Sequence, residues 1–175
     1  MNRFVAIAVA AAFVAGCAHM GMGSDGPKAT AKLEPTKGSE AKGTVTFMQR
    51  GDKVIVSATV SGLKPGAFHG FHIHEKGDCS SGDGMSTGGH FNPGAKPHGE
   101  GGTAKEHHAG DMPNLRADQY GNAVENFTLS TISVGSGPAN VIGKGLIVHA
   151  NPDDYKTQPT GNAGGRIACA VIQAS

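Results

Sequence analysis

The chain has 175 residues with 28 glycines, 9 histidines and no tryptophan, and its formal net charge is +1. This length suits one domain of ordinary size with a core of its own. Beyond residue 16 the basic and acidic residues balance at 14 each. The composition therefore does not indicate nucleic-acid binding, which requires a concentrated basic surface.

The N-terminus predicts export. Arg3 provides a positive start, and residues 4–15 are apolar and rich in alanine. An apolar run of this length is short for a membrane span and is typical of a cleaved signal peptide. Residues 14–17 (VAGC) resemble the lipobox of bacterial lipoproteins, which implies removal of residues 1–16 and lipidation of Cys17. The protein would then be anchored to a membrane in the periplasm; the alternative is an ordinary signal peptide with an incidental cysteine.

Residues 17–41 contain mostly Gly, Met, Ala, Lys and Pro without an apolar period, which predicts a lipidated Cys17 followed by a flexible tether. His19, Met20 and Met22 could bind copper there, since imidazole and thioether suit Cu(I). The alternative is that these residues have no role. The folded domain is predicted to occupy residues 42–175.

From Lys42 onward, short apolar segments alternate with turn signals, and the pattern predicts an all-β sandwich or barrel of about eight strands. The predicted strands are 44–47, 54–60, 68–75, 115–117, 123–130, 145–150 and 166–172. Residues 76–114 form one long stretch rich in Gly, Pro and His. Loops of this length inside a compact domain are usually functional or disordered.

Histidines indicate a metal site. His72 and His74 are two apart in a predicted strand, so both side chains lie on one face. Three histidines and one carboxylate from the long loop could form a closed tetrahedral zinc site: His90, His98, His108 and Asp111. His72, His74, His149 and one further histidine would suit Cu(II), which accepts tetragonal nitrogen ligation.

Five segments of the sequence resemble the motifs of a known enzyme family. Residues 70–75 (GFHIHE), 89–93 (GHFNP), 108–111 (HAGD), 148–149 (VH) and 161–169 (GNAGGRIAC) resemble the signature segments of copper/zinc superoxide dismutases in their bacterial exported form. The resemblance implies a Greek-key, eight-stranded sandwich or barrel with long metal-binding and active-site loops. It also implies one copper and one zinc per subunit, and dismutation of superoxide to dioxygen and hydrogen peroxide for protection of the cell envelope.

The resemblance also implies roles for individual residues. Copper would be bound by His72, His74, His90 and His149, and zinc by His90, His98, His108 and Asp111. His90 would bridge both metals as imidazolate and pass a proton to the nascent peroxide. Arg166 would hold superoxide beside copper, although a surface or salt-bridged arginine is the alternative. Asp153 would link one copper ligand to one zinc ligand, or else cap a turn.

Two histidines and two cysteines complete the predictions. His107 adjoins His108, and the resemblance implies that His108 is the zinc ligand, because the family's pattern has a histidine three residues before the aspartate, here Asp111. His69 is expected to be structural or solvent-facing. If Cys17 carries lipid, an exported protein is expected to join its two remaining cysteines, Cys79 and Cys169, although two buried thiols are the alternative.

A rival function is a non-enzymatic copper or zinc buffer tethered to the membrane, since fold does not dictate function. Storage requires neither a bridging His90 nor Arg166, so this pair favours the enzyme. Both a monomer and a homodimer are compatible with the sequence.

Overall fold

Ten strands build the protein in a computed structural model that describes residues 25–175. Cys17, the signal peptide and the three residues His19, Met20 and Met22 lie outside the described residues. A single turn of 3-10 helix spans Met85–Thr87. The strands are β1 (Asp25–Pro35), β2 (Lys42–Arg50), β3 (Lys53–Ser61), β4 (Phe68–His69), β5 (Phe71–His74), β6 (Leu115–Arg116), β7 (Ala123–Leu129), β8 (Gly145–His149), β9 (Arg166–Val171) and β10 (Gln173–Ala174).

Eight strands form one antiparallel sheet that curls into a half-barrel. Its order is β5-β8-β9-β1-β2-β3-β7, with β10 paired to β1, while β4 and β6 form a separate two-stranded sheet. The connection from β7 to β8 crosses from one end of this order to the strand next to the other end, as in Greek-key folds. The predicted all-β class is confirmed.

Alternation of buried apolar residues with more exposed residues explains the central strands. In β3, Val54, Val56, Ala58 and Val60 are buried while the residues between them are exposed or half-buried. The turn predicted at residues 50–53 joins β2 to β3, which pair in register from Arg50 opposite Lys53. β5 and β8 are buried along their whole length, so each supplies one face to the hydrophobic core and the other to a polar interior.

The predicted tether requires a correction. Residues 25–35 are strand β1, which pairs with β2, β9 and β10, so the folded domain does not begin at Lys42. Ala29, Ala31 and Leu33 are buried and alternate with exposed or half-buried residues that include Lys32 and Glu34. Alanine contributes little apolar area, so this alternation gives a weak hydrophobic signal in the sequence.

Cys79 and Cys169 form a disulfide, which confirms the predicted pairing. The bond joins the long loop after β5 to strand β9, two segments separated by 90 residues. Among residues 25–175, no helix has the length and hydropathy that a membrane crossing requires.

Candidate metal centre

One residue of β5 fixes the long loop. The backbone N–H of Ile73 donates to Gly110 O (2.9 Å), and Ile73 O accepts from the N–H of Phe91 (2.8 Å). Gly110 must lack a side chain, because a Cβ there would lie 2.3 Å from Ile73 O. His90 and Asp111, the neighbours of Phe91 and Gly110, are thereby placed beside the two histidines of β5.

The first ligand group forms where β5 pairs with β8. Phe71 lies opposite Val148, and the N–H of His149 donates to Gly70 O at 2.8 Å, so His149 enters the interior beside the strand that carries the other histidines. One nitrogen of each ring lies within 4.8 Å of the others, and all four residues are buried. We call this the copper group: His72, His74, His90 and His149.

The second ligand group, the zinc group, surrounds one carboxylate oxygen and contains His90, His98, His108 and Asp111. Asp111 Oδ1 lies 2.8 Å from His90 Nδ1, 3.1 Å from His98 Nδ1 and 3.3 Å from His108 Nδ1. Ligands about 2.0–2.1 Å from a tetrahedral zinc ion would be separated by roughly 3.3 Å, close to these distances. Asp111 Oδ2 accepts from the N–H groups of Gly99 and His108, which leaves Oδ1 to face the three rings.

Unpartnered nitrogens show that the copper group fits a metal. Within residues 25–175, four buried ring nitrogens of the copper group have no hydrogen-bond partner: His72 Nδ1, His74 Nε2, His90 Nε2 and His149 Nε2. The opposite nitrogens of His74 and His149 approach Gly88 O (2.9 Å) and Gly164 O (3.2 Å). A donor at that position fixes the tautomer and leaves a lone pair on the unpartnered nitrogen for a cation.

Burial favours the neutral form of three copper ligands, His74, His90 and His149. It lowers the pKa of His74 and His149 well below the ordinary value, and Arg166 acts in the same direction. Burial also lowers the pKa of His90, to about 4, although its hydrogen bond with Asp111 opposes this. Neutral imidazoles bind metal without first losing a proton.

In the zinc group, the pKa of one histidine is raised instead of lowered. Burial would lower the pKa of His98, but hydrogen bonds with Asp111 and Asp153 outweigh it and raise the pKa to about 9. Burial would raise the pKa of Asp111, yet its hydrogen bonds with His108, His90 and His98 hold it well below the ordinary range. An ionised carboxylate among imidazoles is the donor set that zinc prefers.

Asp153 joins the two groups. His72 Nε2 donates to Asp153 Oδ2 at 2.7 Å, and His98 Nε2 donates to Asp153 Oδ1 at 2.9 Å. Burial would raise the pKa of Asp153, but these bonds with His72 and His98 keep it well below the ordinary range. Asn114 accepts from the backbone N–H of Asp153 at 2.8 Å and donates to its carbonyl at 2.9 Å.

Two residues near Asp153 were not predicted from the sequence. The Gln158 amide accepts from His98 N–H (2.8 Å) and donates to His98 O (2.9 Å), so it fixes the backbone of a zinc ligand. Gly161 has φ +65°, and a Cβ there would lie 1.7 Å from Asp153 Oδ1. An isolated glutamine in a loop carries no sequence signal, whereas Gly161 belongs to the segment 161–169 that carried the resemblance.

Arg166 begins β9 directly opposite His149. Its Nη1 donates to Gly84 O (2.7 Å) and Thr87 Oγ1 (2.7 Å), and its Nη2 donates to Gly88 O (2.8 Å). Burial lowers the pKa of Arg166, while the Asp83 carboxylate opposes this. The guanidinium remains a fixed cation, since arginine does not lose its proton in proteins.

Within residues 25–175, two histidines lie outside both groups, His69 and His107. His108 belongs to the zinc group and His107 does not, as predicted; His107 Nδ1 donates instead to His108 O at 2.6 Å. His69 is buried, and its Nδ1 donates to His149 O at 2.8 Å, so its role is structural and not solvent-facing.

Comparisons with known proteins agree with this geometry. The profile described as copper/zinc superoxide dismutase matches residues 41–172. Superoxide dismutase [Cu-Zn] 2 of Brassica juncea is 45% identical over 152 residues, covering 83% of this chain and 96% of its own. The crystal structure of the clock protein EA4 superposes with a TM-score of 0.76 at 40% identity, covering 85% of this chain and 94% of that one. The chain therefore belongs to the copper/zinc superoxide dismutase family and dismutes superoxide at a copper group beside a zinc group.

Proposed function

We propose that Arg166 holds the superoxide anion beside the copper group during dismutation. The observation that carries this assignment is the register of β8 and β9, which places Arg166 directly opposite the copper ligand His149. Arg166 also lies close enough to His74 and His149 to lower the pKa of both rings. A guanidinium held by three hydrogen bonds provides a positive charge at a fixed distance, which favours capture of an anion.

Dismutation converts two superoxide anions and two protons to one dioxygen and one hydrogen peroxide. Copper bound by the copper group would supply the alternating one-electron oxidation and reduction. His90 belongs to both groups, with Nδ1 beside Asp111 Oδ1 and Nε2 buried toward the copper group. We assign to His90 Nε2, when it is free to take up one proton from solvent, the delivery of that proton to peroxide, while solvent supplies the other proton directly.

Arg166→Gln is expected to lower kcat/KM by about tenfold at low ionic strength and to weaken its salt dependence, because the fixed charge near the copper group is lost. Metal analysis of the same preparation should show wild-type copper and zinc contents. Arg166→Lys keeps the charge without the planar fork and should give an intermediate rate. An unchanged rate in Arg166→Gln would contradict the assignment.

We also propose that the protein is the exported, lipid-anchored form of this enzyme, which protects the cell envelope from superoxide. Support comes from the sequence alone: one positive charge, an apolar run and small residues precede Cys17.

Expressed in a bacterial host, the full-length protein is expected to fractionate with periplasm-facing membranes, and mass spectrometry of the Cys17 peptide should show added acyl chains. Cys17→Ala should release a soluble or uncleaved protein of equal specific activity. A wild-type Cys17 peptide of unmodified mass would contradict the proposal. The mass of the detergent-solubilised protein would distinguish a monomer from a homodimer.

A further inference from the structure

The acceptors that hold Arg166 all lie in one short segment. Gly84, Thr87 and Gly88 lie between the disulfide residue Cys79 and the bridging ligand His90. Two of these acceptors are backbone carbonyls, and the third is the hydroxyl of Thr87. Within residues 25–175, Thr87 therefore supplies the one side-chain acceptor of this guanidinium.

Thr87 makes a different contact with each branch of its side chain. It is fully buried, and its Oγ1 donates to Gly84 O at 2.8 Å while accepting from Arg166 Nη1 at 2.7 Å. Its Cγ2 lies 2.8 Å from the position that a Cβ of Gly145 would occupy, so the methyl group packs directly on the backbone of β8. A β-branched side chain has few rotamers, and the packed methyl group therefore directs the hydroxyl toward Arg166.

We propose that Thr87 is a positioning residue for Arg166. The Thr87 hydroxyl fixes the plane of the guanidinium and thereby determines the affinity of Arg166 for small anions. The inference rests on the role proposed above for Arg166. Oγ1 completes a triangle in which Gly84 O accepts from both Thr87 and Arg166. Three of the five N–H groups of Arg166 are occupied by this segment, which leaves two to face an anion.

Loss of the Thr87 hydroxyl would change the hydrogen bonding of Arg166. One N–H of Arg166 Nη1 would lose its acceptor, and the guanidinium could then rotate toward water or another acceptor. Part of the anion's binding energy would be used to restore the original orientation of the guanidinium, so anion affinity falls while the positive charge stays in place. Neither ligand group includes Thr87, so metal binding should not change.

A comparison of four side chains at position 87 distinguishes the effect of the hydroxyl from that of the methyl group. Threonine has both, Thr87→Val keeps the methyl group, Thr87→Ser keeps the hydroxyl, and Thr87→Ala has neither. The first measurement is the dissociation constant for azide, which is obtained from the change in absorption of the copper- and zinc-loaded protein on titration with azide. The second is the NMR spectrum of the Arg166 guanidinium in zinc-loaded, copper-free protein, where slow rotation gives separate Nη proton signals.

We expect Val and Ala to weaken azide binding by about fivefold and to merge the Nη signals, and Ser to stay within about twofold of wild type. Met85→Leu, an exposed change in the same segment, should leave both readouts unchanged. Wild-type azide affinity in Val and Ala would overturn the proposal, as would a Ser variant as weak as Ala, which would assign the effect to methyl packing. If Val does not fold, the comparison of Ser with Ala still decides the question. Arg166→Gln tests the underlying role separately: weak azide binding there, with wild-type binding in Ala, refutes the inference about Thr87 alone.

Discussion

Asp153→Asn is expected to lower zinc affinity by about 10- to 100-fold, the range found when a group that orients metal ligands is lost. Asp153 accepts from His72 through one oxygen and from His98 through the other. An asparagine retains one acceptor oxygen and replaces the second with an NH2 group that cannot accept from an N–H. Competition with a chromophoric zinc chelator would measure the change, and copper affinity should fall to a smaller extent through His72.

Asp154→Asn is the matched control, because Asp154 is exposed and its carboxylate bonds only Lys156 and Thr157 within residues 25–175. It should bind zinc like the wild type. If Asp153→Asn also binds zinc like the wild type, then the contacts of Asp153 do not orient the ligands.

Removing the disulfide should destabilise the fold by roughly 4–5 kcal/mol, because it closes a loop of 90 residues and restricts the unfolded chain. The double variant Cys79→Ser, Cys169→Ser leaves no thiol at either position. Its free energy of unfolding is best measured in guanidinium chloride on metal-free protein, since bound metal adds stability of its own.

Ser80→Ala, adjacent to Cys79 and exposed, should unfold at the wild-type midpoint. A midpoint unchanged in the double cysteine variant would show that the bond contributes nothing to the stability of the sheet. The variant should also lose anion affinity, because the disulfide joins β9, which carries Arg166, to the segment that holds its guanidinium.

Strands with a strong apolar signal were predictable from the sequence, and the alanine-rich strand was not. β2, β3, β7, β8 and β9 coincide with predicted segments within a few residues, whereas alanine-rich β1 was assigned to the tether. The predicted strand 68–75 is divided at Gly70: β4 pairs with β6, and β5 pairs with β8. A Cβ on Gly70 would lie 2.7 Å from that of Ala163, a close approach between loops that only the tertiary structure shows.

The ligand groups were predictable because metal binding demands particular residue types at fixed spacings, and resemblance resolved which histidines belong to which metal. The residues that orient them follow no such rule. Thr87, Asn114 and Gln158 are ordinary polar residues in loops, and their importance comes from bonds across 79, 39 and 60 residues of sequence. No periodicity in the sequence identifies contacts of this kind.

The two ligand groups also differ in how soon folding can assemble them. Every zinc ligand lies within residues 90–111, whereas the copper group spans residues 72–149 and requires β8 to pair with β5. Closing the longer loop costs about 1 kcal/mol more in chain entropy. It also requires the pairing of two strands that are distant in sequence, which is slower than local contact formation. All four zinc ligands are thus close in sequence in a partly folded chain, whereas the four copper ligands come together only in chains in which β8 has paired with β5.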